Sequence, residues 1–160
     1  MSSTPSTPSS SRLQYRDASP AAMSAMLALE TAVRKAGLDP ILLDLVKLRA
    51  SQINGCAYCI DLHAREAKQK GENDRRLHLL PAWREVPSFF SPRERAALAW
   101  TESLTLISEN HVPDDVYAQA SQEFSETELT NLTLAVVAIN GWNRFSISFR
   151  AMPDPLEKQP

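Results

Sequence analysis

The apolar residues of this chain recur with the period of an α-helix. After residue 39, for example, Ile41, Leu45 and Leu48 lie on one face of a helix with a broad apolar stripe. We find no comparable series of strands. Together with the helix-starting and helix-ending residues, these patterns predict helices near residues 20–36, 40–54, 56–70, 74–80, 92–109, 113–124 and 126–148.

Proline and glycine mark the ends of these helices. Three prolines each follow a good helix-capping residue, in the pairs Ser19-Pro20, Asp39-Pro40 and Ser91-Pro92. Such a pair is typical of an N-cap followed by the first helical position, where the missing N–H of proline costs nothing. Gly37 and Gly71 fall where helix C-caps are expected. This placement predicts an all-α fold of about six or seven helices.

The last segment has a competing interpretation. Asn140-Gly141 is a strong hairpin signal, and the stretch 145–149 alternates as a strand would. We favour a helix over 126–148, because an isolated two-stranded hairpin is marginal and no other strand exists to pair with it. Residues 132–139 are apolar nearly all round, which predicts a helix that is covered on several sides, including by another subunit.

Composition limits the class of protein. The chain has 160 residues, 43% of them hydrophobic, and a formal net charge of −2, which suits one domain without the basic footprint of a nucleic-acid-binding protein. No apolar run reaches the roughly 18 residues that a membrane span needs, and the start lacks the pattern of a secretory signal. We therefore expect a cytoplasmic protein with no membrane association. The expected organisation is a disordered Ser/Thr/Pro tail at 1–12, a domain at 13–150 and a flexible tail at 151–160.

Both cysteines of the chain lie in one motif. Cys56 and Cys59 form a CxxC pair, and His63 follows four residues later. If a helix starts at Cys56, the second cysteine lies one turn on, and a small adjustment of the first turn allows a disulfide. Side chains of a helix lean towards its N-terminus, which directs the histidine at Cys59. An imidazole beside a thiol can take its proton, and the helix N-terminus stabilises the resulting thiolate.

The motif alone leaves some alternatives open. The helix dipole acts most strongly at Cys56, whereas His63 is within reach of Cys59; reaction with peroxide favours the cysteine beside the base. Two buried structural thiols would explain the pair without any chemistry. A zinc site is a further alternative, with the motif and either His78 or Asp44 as ligands, although three ligands on one short helix are unusual for zinc.

The sequence resembles AhpD-like alkyl hydroperoxidases, which belong to the carboxymuconolactone decarboxylase superfamily. The resemblance is carried by the residues of 45–63 (LVKLRASQINGCAYCIDLH), which include the cysteines and the histidine. It continues through 82–85 (AWRE), 94–102 (ERAALAWTE) and 138–144 (AINGWNR). It thus covers most of the chain between residues 20 and 150.

The resemblance implies a fold and a set of site residues. It implies an all-helical protein that assembles as trimers or hexamers. It also implies that Cys59 attacks the peroxide, that Cys56 is its proton donor and disulfide partner, and that His63 belongs to a proton relay. The family usually has a glutamate twelve residues before the first cysteine; here that position is Asp44. The shorter carboxylate would reach His63 through a bridging water.

The function predicted from these residues is a thiol-dependent peroxidase of the AhpD type. Its substrates would be organic hydroperoxides, and its reductant a dithiol of a thioredoxin-like or lipoylated protein. The prediction requires no organic cofactor and no metal. Two other functions are considered: a carboxymuconolactone decarboxylase-like enzyme that does not use the cysteine pair, and a non-enzymatic, redox-sensing or zinc-binding helical oligomer.

Overall fold

A computed structural model of the chain describes residues 11–155. Within these residues all regular secondary structure is helical and there is no β-strand, which confirms the predicted fold class. The α-helices are α1 (Tyr15–Ala18), α2 (Pro20–Lys35), α3 (Pro40–Asn54), α4 (Ala57–Gln69), α5 (Asp74–Leu79), α6 (Pro92–Thr105), α7 (Ile107–Asn110), α8 (Asp114–Glu123) and α9 (Glu126–Phe149). Two short 3₁₀ segments, Leu80–Glu85 and Pro87–Phe89, connect α5 to α6.

The predicted helix starts are confirmed by their capping hydrogen bonds. The side chains of Ser19, Asp39 and Ser91 accept hydrogen bonds from the first turns of α2, α3 and α6, each of which has a proline at its first position. At α6 the cap is reciprocal, because the side chain of Glu94 also accepts from the backbone N–H of Ser91. These local hydrogen bonds explain why α2, α3 and α6 begin where the sequence predicts.

The prediction of one helix over 92–109 is wrong. The helix is interrupted at Leu106, whose backbone leaves the helical region, so that α6 ends at Thr105 and α7 begins at Ile107. The apolar side chain of Ile107 suggested that the buried stripe continues, but it is 51% exposed. The interruption lies next to α9, where the Asn140 side chain donates a hydrogen bond to Thr105. The short helix α1 and the 3₁₀ segments were not predicted.

Helix α9 is continuous through Asn140-Gly141, as the sequence analysis favoured. The glycine serves helix packing rather than a turn, because it faces Met26 on α2. A Cβ atom at this position would lie 3.1 Å from Cε of that methionine. The hairpin signal therefore marks a close approach between α2 and α9.

Helix α3 lies at the centre of the molecule and packs against α4, α6 and α9. Its residues Leu45, Val46 and Leu48 are almost completely buried, and burial of such side chains contributes about 1.5–3 kcal/mol each. On α9, Leu132 and Ile139 are fully buried, whereas Val137 is 55% exposed. The chain by itself thus covers most but not all of the apolar surface of α9, and assembly into an oligomer stays a prediction.

The two ends of the described chain meet on α9. The backbone N–H of Arg12 donates to the carbonyl of Phe149 at 2.9 Å, and the ring of Tyr15 stacks on the ring of Phe149 at 5.5 Å between centroids. Ordered contacts therefore include residues that the sequence assigned to the amino-terminal tail. Of the predicted tails, residues 1–10 and 156–160 lie outside the described residues. No helix within 11–155 is long and apolar enough to cross a membrane.

Candidate active site

The cysteine motif lies at the turn between α3 and α4. Gly55 ends α3 in the left-handed region with φ of 70°, a conformation that favours glycine. The following N–H, of Cys56, donates to the carbonyl of Ser51 at 3.0 Å. Cys56 itself is the extended N-cap of α4, which begins one residue later than predicted. This extended residue brings the two sulfurs together, and Cys56 and Cys59 form a disulfide with 5.3 Å between their Cα atoms.

The two cysteines differ in what surrounds them. Both are buried, with 1% of Cys56 and 3% of Cys59 exposed. Cys59 lines a cavity of about 170 Å³ that opens to solvent, whereas Cys56 does not line it. Cys56 is instead held behind the first turn of α4, where its sulfur accepts a hydrogen bond from the N–H of Cys59. A molecule that enters the cavity therefore reaches Cys59 first.

The cavity is enclosed by side chains of α1, α2, α4 and α9. Most of its wall is apolar or aromatic, with Leu27, Leu62 and Trp142 among its lining residues. Its ionisable lining residues are Arg16, Glu30, Arg34, His63 and Glu66. The site thus offers a mostly apolar path to a sulfur atom, with a small set of charged groups around it.

His63 lies in the same cavity, where its orientation is fixed by a carboxylate on its own helix. It is 7% exposed, and its Nδ1 lies 3.1 Å from Oε2 of Glu66 one turn later. The hydrogen bond with His63 lowers the pKa of Glu66 although partial burial opposes the shift. The sequence analysis missed Glu66, and the i, i+3 spacing on α4 was the signal that could have identified it.

Asp44, the predicted relay carboxylate, is held by a different partner. It is 2% exposed, and its Oδ2 lies 2.5 Å from Nζ of Lys70. Burial raises the pKa of Asp44 and outweighs the opposing effect of the Lys70 ammonium. The carboxylate, the ring of His63 and the carboxylate of Glu66 still lie close together, with one oxygen or nitrogen of each within 4.8 Å of the others. Asp44 therefore borders the histidine pair but forms its hydrogen bond with the lysine.

Glu30, another residue of the cavity lining, forms a buried ion pair with Lys47 of α3. Lys47, 4% exposed, is hydrogen-bonded to the carboxylate of Glu30, which also accepts from Nε of Arg34 at 3.3 Å. Burial raises the pKa of Glu30, but the two cations outweigh it and the pKa is lowered overall. The Glu30 carboxylate is thus paired with cations of α2 and α3 and is not a free base in the cavity.

The residues proposed for zinc do not come together as one set. The sulfurs of Cys56 and Cys59 are joined to each other, and His78 lines a separate cavity beside α5. Asp44, His63 and Glu66 are close enough to share a cation. However, the Lys70 ammonium already forms an ion pair with the buried Asp44, and its positive charge opposes a metal ion there.

A polar network fastens the cysteine turn to α9. The amide of Asn54 donates to the side chains of Asn140 and Asn143, at 2.9 and 2.8 Å. The side-chain amide of Asn143, which is 1% exposed, in turn donates to the hydroxyl of Ser51. The backbone carbonyl of the same serine accepts the hydrogen bond from the N–H of Cys56. These two asparagines of α9 therefore support the site from behind rather than lining it.

Comparison with known proteins identifies relatives of this chain by sequence. The model of the carboxymuconolactone decarboxylase family matches residues 20–103. The uncharacterized protein YdfG of Bacillus subtilis is 38% identical over 139 residues, which cover 87% of this chain and 94% of that protein.

Solved structures show the same fold. A crystal structure of an Agrobacterium tumefaciens protein of unknown function, described as a candidate AhpD antioxidant defence protein, has a TM-score of 0.89 and 40% identity. The match covers 92% of this chain and 100% of that one. The debrominase Bmp8 shares the fold at a TM-score of 0.76 and 18% identity, over 84% of this chain and 72% of its own.

Proposed function

The chain belongs to the carboxymuconolactone decarboxylase family, and from this premise we propose that it is a thiol-dependent peroxidase of the AhpD type. The observation that carries the proposal is the asymmetry of the cysteine pair. Cys59 lines the cavity, and Cys56 lies behind it at disulfide distance. An attacking thiol needs access to substrate, whereas a resolving thiol needs access only to the attacking sulfur. The structural relative described as a candidate AhpD-type protein supports the same reaction class.

The reaction begins with the reduced pair. The Cys59 thiolate attacks the terminal oxygen of an organic hydroperoxide, the O–O bond breaks, and the proton that left the Cys59 thiol is delivered to the departing alkoxide to release an alcohol. Cys59 is left as a sulfenic acid. The sulfur of Cys56 then displaces its hydroxyl group, so that a disulfide forms and water leaves with the Cys56 proton. A dithiol reductant returns two electrons and two protons by thiol–disulfide exchange.

The remaining residues manage the proton. His63 accepts the Cys59 proton, and the Glu66 carboxylate at its Nδ1 stabilises the charged ring that results. The negative charge of Asp44 favours the same cationic ring, since an opposite charge nearby stabilises a charged group. The helix N-terminus of α4 favours the thiolate form of both cysteines. We thus assign proton transfer to His63, its orientation to Glu66, and a supporting electrostatic role to Asp44.

The proposal includes partners. The reductant is a dithiol on a thioredoxin-like or lipoylated protein, and the cytoplasm is the compartment that keeps such pairs reduced. Exposed Val137 and Ile147 on α9 support a homo-oligomer, which we propose to be a trimer or hexamer.

Mass spectrometry of the reduced protein after one equivalent of cumene hydroperoxide tests this function. We expect a loss of two hydrogens that maps to Cys56 and Cys59. In Cys56→Ser, a sulfenic acid should be trapped at Cys59 by dimedone, whereas the matched Cys59→Ser variant should not react. Trapping at Cys56 in the latter variant would reverse the assignment. An activity of the chain that survives removal of both cysteines would instead indicate the decarboxylase-like alternative.

A further inference from the structure

The entrance of the Cys59 cavity carries a positive charge without an anionic partner among residues 11–155. Arg16 is exposed on α1, and its guanidinium donates a hydrogen bond to the neutral hydroxyl of Tyr58 at 3.3 Å. No carboxylate of the described residues forms an ion pair with it. Because Arg16 is exposed while Cys59 is buried, the charge lies at the solvent end of the cavity and the sulfur at its inner end.

The other charges around the cavity do not cancel that of Arg16. Glu30 is matched by two cations, Lys47 and Arg34, and Glu66 is engaged by the ring of His63. Only Nε of Arg34 contacts Glu30, and 66% of the arginine side chain is exposed. Arg16 is therefore the cation of the lining that has no ion-pair partner among the described residues, and an anion bound by it would displace no existing ion pair.

Most of the wall of the Cys59 cavity is apolar. Leu27, Leu62 and Trp142 line the same cavity as Arg16 and Cys59. A second cavity of about 370 Å³ adjoins the first and shares Tyr15, Arg16 and Tyr58 with it. The hydrogen bond between Arg16 and Tyr58 thus lies on the boundary of the two spaces. An extended ligand with an apolar body and one anionic end matches this arrangement better than a neutral compound does.

We propose that the preferred substrates are hydroperoxides of amphipathic carboxylic acids, of the fatty acid type, whose carboxylate binds Arg16 while the peroxide group reaches Cys59. This inference rests on the proposed function and specifies its substrate class. The chemical step is unchanged: the terminal peroxide oxygen passes to the Cys59 sulfur, and the hydroxy acid leaves with its carboxylate intact. The arginine supplies two parallel donors that fit a carboxylate, whereas the apolar wall binds the chain.

The test compares two substrates that differ only in charge, a medium-chain ω-hydroperoxy fatty acid and its primary amide. We expect kcat/KM for the acid to exceed that for the amide about tenfold, because a charge-assisted hydrogen bond from Arg16 to a carboxylate is stronger than one to a neutral amide. Arg16→Gln should bring the ratio close to one. Arg75→Gln is the matched control, since this exposed arginine packs over Phe89 and lies outside the cavity. Added salt should reduce the ratio in the wild type.

Calorimetry on Cys59→Ser separates this inference from the proposed function. The ligands are the ω-hydroxy acid that the reaction would release and its amide. Tighter binding of the acid, lost in the Arg16→Gln background, supports the ligand class even if no peroxide is consumed, and then only the proposed function fails. Equal binding of acid and amide, or a preference that Arg16→Gln leaves intact, overturns the inference whether or not the wild type reduces hydroperoxides.

Discussion

Nδ1 of His63 and Oε2 of Glu66 lie 3.1 Å apart, one turn from each other on α4. With Nδ1 engaged by the carboxylate, Nε2 is the ring nitrogen available to accept a proton. The resemblance to AhpD-like proteins assigned the relay carboxylate to Asp44 on α3, which here accepts a hydrogen bond from Lys70. The carboxylate that orients the ring therefore comes from the same helix as the ring and the sulfur.

The first prediction concerns this pair. Glu66→Gln keeps the size of the side chain but removes its charge, so the protonated ring and the Cys59 thiolate both lose stabilisation. We expect peroxidase kcat/KM to fall about 10–100-fold and the pH profile to move towards alkaline pH. Alkylation of Cys59 as a function of pH, in a Cys56→Ser background, measures the thiolate directly.

Two further variants make this prediction specific. Asp61→Asn is the control, because Asp61 lies on the same helix but pairs with Arg65 at 2.8 Å. Asp44→Asn should have the smaller effect on alkylation, since its main partner is Lys70. If Asp44→Asn slows the alkylation of Cys59 more than Glu66→Gln does, the relay carboxylate is Asp44, as the resemblance implies.

The sequence was sufficient where the determinants are local. Ser19, Asp39 and Ser91 mark helix starts because each caps its own first turn within three residues. The cysteine pair was predictable for the same reason, as its spacing fits one helical turn. The extended backbone of Cys56, which makes the disulfide reachable, follows from its position directly after the left-handed Gly55.

Long-range partners were not predictable from the sequence. Lys70 lies 26 residues after the Asp44 carboxylate that it engages, and no periodicity indicates that pairing. The break at Leu106 likewise lies beside a residue of α9. Apolar periodicity reports which face of a helix is buried, but it does not report which polar group will meet it from another helix.

The second prediction concerns Glu102, which joins α3, α6 and the 3₁₀ segment. Its carboxylate accepts from Nε of Arg49 at 2.7 Å, from Nε1 of Trp83 at 2.9 Å, and from Arg84. Glu102→Gln should lower the free energy of unfolding by about 2 kcal/mol, because the arginines lose their anion. Urea denaturation measures the loss. Glu109→Gln, an exposed substitution on α7, should stay within about 0.5 kcal/mol of the wild type.

The pH dependence of this effect has a defined sign. Burial raises the pKa of Glu102, but hydrogen bonds from Trp83, Arg84 and Arg49 outweigh it, so the pKa lies below its ordinary value of 4.5. A lowered carboxyl pKa stabilises the folded state above the unfolded pKa, and this contribution is lost as pH falls through the folded pKa. The difference in the free energy of unfolding between wild type and Glu102→Gln should therefore have its full value at neutral pH and become smaller below pH 4.5. A constant difference down to acid pH would contradict it.

The third prediction concerns Asn143 on α9. Its side chain bonds both Ser51 and Asn54, and it is almost completely buried. Asn143→Leu has a similar volume but removes one buried hydrogen bond from each partner, so we expect the free energy of unfolding in urea denaturation to fall by about 2 kcal/mol. Asn131→Ala removes one hydrogen bond from the same helix, to the carbonyl of Ala36, and should cost about 1 kcal/mol. If the two variants lose the same free energy of unfolding, the network behind the cysteine turn does not stabilise the fold more than a single hydrogen bond elsewhere on α9.

The fourth prediction concerns Gly141, at the close approach of α9 to α2. The nearest atoms to a Cβ there are Cε and Sδ of Met26, at 3.1 and 3.7 Å. These atoms end a flexible, partly exposed side chain, which can move by a few tenths of an ångström at little cost. Alanine in place of glycine inside a helix gains about 0.5–1 kcal/mol, so Gly141→Ala should raise the urea midpoint. Gly141→Val should lower it, since a β-branched side chain needs more room than the methionine can give.

Gly37→Ala provides the contrast for this prediction. Nothing lies within 4 Å of a Cβ at Gly37, but its φ of +81° strains any other residue. This variant should therefore destabilise the protein in spite of the open space around it. If Gly141→Ala is destabilising as well, Met26 is rigid. Adding Met26→Ala should then restore the gain from alanine, because the neighbour that the new methyl group meets has been removed.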